Sequence, residues 1–271
     1  MKKYFDNMSF KIGFIILSAL CGLLLLSFAF LPVDPYEMDL VNKFRMPAPG
    51  HLLGTDNFGR DIFSRILKGS QPVFFVGFVA VSIGFCVGSA LGAVAGYFGG
   101  AADEVIMRVI DAQMAFPGVI TALVVITVFG PGALHTAIAL GVMSIPRFCR
   151  MTRSGFMQAK EMDYVKAARS RGASHLRIIT LHIFPNISTQ IVVTASLAFS
   201  GSVLAEAGLS YLGLGIAPPE PSWGKMLYEA QSFLLTQPWY AMIPGSVITL
   251  LALGFNLLGD GVRDVEGMKA G

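Results

Sequence analysis

Six stretches of this 271-residue chain are each apolar for roughly the length an α-helix needs to cross a bilayer. They run from about Ile12 to Leu31, Val73 to Phe98, Val105 to Phe129, Leu134 to Phe148, Ile187 to Leu214 and Ala241 to Leu258. Few folds are open to such a chain. Hydrocarbon offers no water to the backbone, so every N–H and C=O must be paired inside the membrane, and helices do this one segment at a time. A content of 54% hydrophobic and 14% charged residues, with a mean hydropathy of +0.65, excludes an ordinary soluble domain. The expectation is an all-α membrane protein of six transmembrane helices, forming a single transmembrane domain over residues 1–271. The fourth stretch is short and the fifth long, so their limits are the softest. Lys2 and Lys3 before the first run also suit a signal peptide, with Ser27-Phe28-Ala29 as a weak cleavage pattern. That run is longer than a typical signal core, which favours a retained span.

Charge placement sets an orientation. With a cytoplasmic N-terminus, only Lys43, Arg45, Arg60, Arg65, Lys68 and Lys225 of the 20 Lys and Arg fall outside. The remainder, among them Lys11, Arg108, Arg147, Arg150, Arg153, Lys160, Arg169, Arg177, Arg263 and Lys269, fall inside. The positive-inside rule therefore puts both termini in the cytoplasm. These basic residues flank spans and belong to no folded soluble module, which argues against nucleic acid as a partner.

Residues 32–71 then form an extracytoplasmic loop and residues 152–185 a cytoplasmic one. The second contains DYVKAARSRGASHLRIITLHIFPN, Asp163 to Asn186, which reads as two short helices about a hinge. Asp163 suits an N-cap, Gly172 a left-handed C-terminal turn, Ser174 a second N-cap, and Pro185 a stop. Leu176, Ile179 and Ile183 fall on one stripe of the second helix. Such a unit sits half-buried against either lipid headgroups or a protein partner.

Elsewhere, Gly84, Gly88, Gly92 and Gly96 recur every fourth residue, which stacks them on one helix face as a packing seam. Glu206 is the one acidic residue well inside an expected span, and such a group is either a structural hydrogen-bonding residue or a gate. Asp56, Asn57 and Asp61 sit in a turn-rich stretch, but the spacing and closing Glu of a calcium loop are missing, so turns and ion pairs are expected there. His135 has no second ligand at i+4. Cys21, Cys86 and Cys149 read as small buried apolar residues, with neither a disulfide nor a metal expected. No Gly-x-x-x-x-Gly-Lys-Ser/Thr loop is present, so the chain should not hydrolyse ATP, and no catalytic or cofactor-binding residues are expected.

Several motifs carry a resemblance. Gly54-Thr55-Asp56 with Gly59-Arg60-Asp61 comes first. Ser210-Tyr211-Leu212-Gly213-Leu214-Gly215 follows, then Pro218-Pro219-Glu220-Pro221-Ser222-Trp223-Gly224, and finally Phe255-Asn256-Leu257-Leu258-Gly259-Asp260 with Arg263-Asp264. In this order they resemble the dipeptide/oligopeptide/nickel family of ABC-importer permeases, of its second (C-type) permease subunit. Ala167-Ala168, Gly172 and Pro185 stand where that family's cytoplasmic coupling loop has its Glu-Ala-Ala, Gly and Pro. Lys166 replaces the Glu, and Val265-Glu266-Gly267-Met268 departs from the family's ending. The resemblance implies the type I importer permease fold and import of peptides, or alternatively of nickel or a metal chelate. It also implies four partners in the complex: a second similar permease, two cytoplasmic ATPase subunits that carry the ATP and Mg, and an extracytoplasmic solute-binding protein. Asp163, Tyr164, Lys166, Ala167, Ala168, Arg171, Gly172, His175 and Pro185 would then form the ATPase-coupling loop. A gradient-driven secondary transporter is the rival of a different class, and only Glu206 leans that way.

Overall fold

The computed structural model describes residues 2–267, so Lys269 and Met268 lie outside it. Among the described residues the chain is helical. After the short α1 (Lys2–Phe5) come α2 (Met8–Ala29), α3 (Ile62–Phe98), α4 (Gly100–Met114), α5 (Gly118–Phe129) and α6 (Ala133–Ala159). α7 (Asp163–Ser170), α8 (His175–Tyr211), α9 (Trp223–Ala230) and α10 (Pro238–Val265) complete it. Four of these, α2, α3, α8 and α10, are long and apolar enough to cross a membrane, and the α4–α5 pair makes a fifth if counted as one span.

Several expected limits are corrected. The third stretch is not one helix: α4 and α5 meet at 83°, broken just before Pro117, whose ring denies the helix an N–H. The fourth continues past Phe148 to Ala159. Its second half carries Arg147, Arg150 and Arg153 on one side while Phe148, Cys149, Thr152 and Phe156 stay buried on the other, a mixed face that simple apolarity hides. Helix therefore occupies the start of the 152–185 segment and, from Ile62, the end of the 32–71 segment. Cys149 is buried, but Cys21 and Cys86 are exposed on the helix surfaces.

Glycine decides the two closest helix contacts. The Gly84, Gly88, Gly92, Gly96 face of α3 lies on α6, the two helices running parallel. A Cβ at Gly84 would come within 2.6 Å of the Ser144 Cβ, at Gly88 within 2.6 Å of the Ile145 carbonyl oxygen, and at Gly96 within 2.6 Å of the Arg153 carbonyl oxygen. At Gly92 it would collide with the Cys149 carbonyl. α3 takes a π-turn at Gly84–Gly88 along this seam. A second seam, missed in the sequence because its glycines are far apart, joins α2 to α10 antiparallel. Gly261 abuts the Phe10 backbone, and Gly13 faces the Gly254 carbonyl and the Leu258 N–H.

One end of the bundle holds residues 30–61 and 212–237. An apolar core of Leu17, Ile66, Phe199, Trp223, Tyr240 and Leu251 ties them to α2, α3, α8 and α10. Trp223 is 1% exposed and its indole N–H donates to the Ile66 carbonyl at 3.0 Å. The opposite end carries α7 and a separate core of Tyr97, Phe156, Val165, Ile178, Ile183 and Ile187.

Candidate functional site

The α7 end is built from the residues singled out for coupling. α7 is capped by Met162, not Asp163, whose side chain makes no cap bond; Asp163 sits in the first turn, where its charge suits the helix dipole. Ser174 does cap the start of α8, accepting from the Arg177 N–H at 3.4 Å. Between them Gly172 adopts φ +77, with nothing near its missing Cβ. Pro185 does not stop the second helix. The chain passes a π-turn (Ile178–Ile183) and a 3-10 turn (Phe184–Ile187), in which the proline needs no helical N–H bond, and runs on as the long α8. The π-turn also rotates the buried face. Ile178, Ile183 and Ile187 point inward, while Leu176 is 71% exposed and Ile179 half-buried.

Of the predicted coupling residues, Asp163, Tyr164, Lys166, Ala167, Arg171, Gly172, His175 and Pro185 are exposed and Ala168 is half-buried. The residue that anchors the loop, Val165, is fully buried; a single Val among polar neighbours gave little signal. Lys166 pairs loosely with Glu161 at 3.7 Å. His175 Nδ1 is 2.8 Å from the Tyr97 hydroxyl, and Lys160 donates to the Gly96 carbonyl at 3.0 Å. These bonds connect the loop to the last turn of α3. Arg153 grips Asp103, with Nη2 to Oδ2 at 2.6 Å, and joins α6 to α4 close by.

At the other end the Gly-Thr-Asp-x-x-Gly-Arg-Asp stretch forms a buried ion-pair network. Asp56 accepts from the Phe58 and Arg60 N–H groups at 2.8 and 2.9 Å and from Arg60 Nε at 2.6 Å. Arg60 and Arg65 both reach Glu229 of α9, at 2.6 and 3.0 Å. Asp61 caps α3 through the Ser64 N–H at 2.7 Å and faces His51 Nδ1 at 3.0 Å. N–H donors thus occupy the oxygens that a cation would need. Asn57 accepts from the Tyr240 hydroxyl at 3.1 Å. Burial, helped by a hydrogen bond to Glu220, pushes the Tyr36 phenol up to about 12, so it stays a neutral donor.

Glu206 is fully buried. Its Oε1 accepts from the Ser210 hydroxyl at 2.6 Å, Ser210 in turn accepts from the Ile216 N–H at 3.2 Å, and Oε2 has no partner among the described residues. Beside it Gly224 lets α9 approach α8 until a Cβ would stand 2.6 Å from the Ala207 carbonyl oxygen. The Ser-Tyr-Leu-Gly-Leu-Gly and Ser-Trp-Gly motifs thus meet at this carboxyl. His135 sits at the start of α6 with Nδ1 3.0 Å from the Gly130 carbonyl.

Comparison with known proteins bears directly on this arrangement. Residues 84–265 match the model of the "binding-protein-dependent transport system inner membrane component" family. The chain is 41% identical over 255 residues to the glutathione transport system permease protein GsiD of Pectobacterium atrosepticum, covering 91% of this chain and 84% of that protein. It is 40% identical over 233 residues to the dipeptide transport system permease protein DppC of Alkalihalophilus pseudofirmus, covering 86% and 77%. With the DppC of Haemophilus influenzae it shares 38% over 262 residues, covering 94% and 88%. A chain from an inward-facing MetNI methionine ABC transporter superposes with a TM-score of 0.61 at 16% identity, over 76% of this chain and 96% of that one, and so shares its fold. On these matches, the chain belongs to the family of binding-protein-dependent transport system inner membrane components.

Proposed function

We propose that this chain is a non-catalytic permease subunit of an ATP-driven importer of short peptides. The observation that carries this reading is identity of about 40% with relatives named as dipeptide and glutathione permeases, over most of each chain. Peptides stand ahead of nickel or a metal chelate because these named systems carry peptides. The chain crosses six times, through α2, α3, the α4–α5 pair, α6, α8 and α10. Both termini and α7 face the cytoplasm, and the Asp56–Glu229 network faces the other side. α6 supplies the sixth crossing because its 27 residues suffice in length and its arginines gather toward one end.

The surface of Asp163 to Pro185 docks one of two ATPase subunits, which bind the ATP and Mg. A second similar permease pairs with this one, and a solute-binding protein delivers peptide to the network end. ATPase closure then rocks the spans about their glycine seams between inward- and outward-facing arrangements. Glu206 acts through its polarity near the outer gate, holding α8 to the segment that leads into α9, and is not a proton-coupling site.

Reconstitution of the full complex tests this. ATP-dependent uptake of a labelled dipeptide presented by the binding protein, insensitive to a protonophore, is expected. Uptake of a nickel complex instead, or uptake abolished by the protonophore, would sink the reading. For topology, cysteines at Leu235 and Ser174 in a background lacking the native three should label from outside and only after permeabilisation, respectively. Leu235 serves because it is 100% exposed, whereas Ser222 nearby is buried.

A further inference from the structure

The 83° break between α4 and α5 opens a cavity of about 360 Å³ against α6 and α8, within the size range of small-molecule sites. Its apolar floor includes Leu140, Met143 and Ala198, and its polar groups are few and specific. Arg147 lines it and, among the described residues, makes no ion pair; Arg150, one turn on, also lines it and is held by Asp111 at 2.6 Å. The Gln113 amide nitrogen donates to the Val142 carbonyl at 2.7 Å, which leaves its oxygen as an acceptor. Thr121 and Ser202 add hydroxyls. Among the described residues no carboxylate lines the cavity, so it offers no countercharge to an ammonium group.

We propose that this cavity holds the C-terminal end of the peptide in transit, with Arg147 pairing its carboxylate and the Gln113 oxygen accepting a peptide N–H. The proposal rests on the peptide-import reading above. Among the described residues, a cation free of ion pairs, an amide acceptor and an apolar floor match the end of a short peptide in charge and in hydrogen-bonding sense. An unpaired arginine on a membrane helix can also hold a lipid phosphate, and the test separates the two. Only a peptide ligand makes the effect of Arg147 depend on the chemistry of the peptide's end.

The experiment uses the reconstituted complex with one binding protein throughout and two labelled dipeptides, one with a free C-terminal carboxylate and one amidated. The readout is the ratio of their uptake kcat/KM values, from which the binding protein's own preference cancels when variants are compared. Arg147→Gln should lower the acid-to-amide ratio about tenfold, the worth of a charge-assisted hydrogen bond, and Arg147→Lys should restore most of it. Thr121→Asp, which places a competing carboxylate in the cavity without altering Arg147, should lower the ratio in the same direction and keeps the test open if Arg147→Gln fails to assemble. Equal loss of both peptides would assign Arg147 to lipid or to structure and overturn the proposal, as would a ratio unchanged in the variants that assemble. Either result leaves peptide import standing. Failure of the unmodified complex to take up either dipeptide would instead sink the import reading, and this site with it.

Discussion

The Tyr97 hydroxyl on the last turn of α3 meets Nδ1 of His175 at 2.8 Å, joining residues 78 apart in sequence at the mouth of the exposed α7 loop. His175 is exposed while Tyr97 is 6% exposed, so the bond runs from the proposed docking surface to a packed span. Tyr97→Phe keeps the ring contacts with Phe98 and His175 and removes only this bond, worth about 1 kcal/mol. The expected outcome is a complex of normal yield whose uptake per ATP hydrolysed falls by up to about fivefold. An unchanged ratio in proteoliposomes would take this bond out of the coupling path.

The α3–α6 seam makes a sharper demand on assembly. Leu at Gly88 or Gly92 must displace backbone, not a flexible side-chain tip, because the atoms met first are the Ile145 and Cys149 carbonyl oxygens. Overpacking of this kind costs about 1–3 kcal/mol or more. Val87 is 43% exposed, so Val87→Leu should be neutral. Yield of assembled complex after detergent extraction is the measurement, and equal yield from all three variants would contradict the seam.

How much of this was legible in the sequence depended on whether a signal was local. The four-residue glycine spacing and the turn at Gly172 are one-segment patterns, and both sit where the residues implied. The Gly13–Gly254–Gly261 contact was invisible because its members lie on the first and last spans. The α4–α5 break was not legible because Pro117 marks where a helix weakens, not by what angle the chain turns there. Pro185 misled for the opposite reason: a proline reads as a stop, yet a π-turn and a 3-10 turn carry the helix through it. The Arg60–Asp56–Glu229 network was half legible, since the motif contained the first two residues and gave no hint of the third.

That network makes its own prediction. Glu229→Ala leaves Arg60 and Arg65, 2% exposed, sharing Asp56 alone, and stranding a buried cation is strongly destabilising. With the Glu229 side chain 15% exposed, a loss near the lower limit, about 3 kcal/mol, is expected as a lowered unfolding midpoint in detergent. Arg65→Met combined with Glu229→Leu should cost less than the sum of the single changes. Strict additivity would mean that the pair is not coupled.

Glu206 separates polarity from proton coupling. Glu206→Gln retains an acceptor for the Ser210 hydroxyl and should keep uptake within about twofold. Glu206→Leu leaves Ser210 unpaired on that side, and uptake should fall by an order of magnitude, or about 1–2 kcal/mol. Uptake by Glu206→Gln that no longer responds to a proton gradient, in a complex that responds before substitution, would favour gradient coupling instead.

The strongest test lies at Gly172. Its φ of +77 is in the left-handed region, and no atom lies within 4 Å of where a Cβ would be built, so substitution introduces backbone strain without a clash. A β-branched residue there costs about 1–2 kcal/mol, which the chain can relieve by tilting α7 against the start of α8. Asn tolerates this conformation better, so Gly172→Asn should be mild where Gly172→Val is severe. The spans should fold in both, because the buried Val165, Ile178 and Ile183 are untouched. If the loop only rests on headgroups, a tilt of two short helices leaves ATP hydrolysis and uptake as they were. If it seats in an ATPase subunit, Gly172→Val loosens that subunit or leaves it docked and unable to drive the spans. The measurement is ATP hydrolysis stimulated by loaded binding protein, with uptake alongside, in reconstituted complex of normal stoichiometry. Loss of either activity in Gly172→Val, with most of it kept in Gly172→Asn, is the expected result; full activity in Gly172→Val would remove the coupling role from the surface of Asp163 to Pro185.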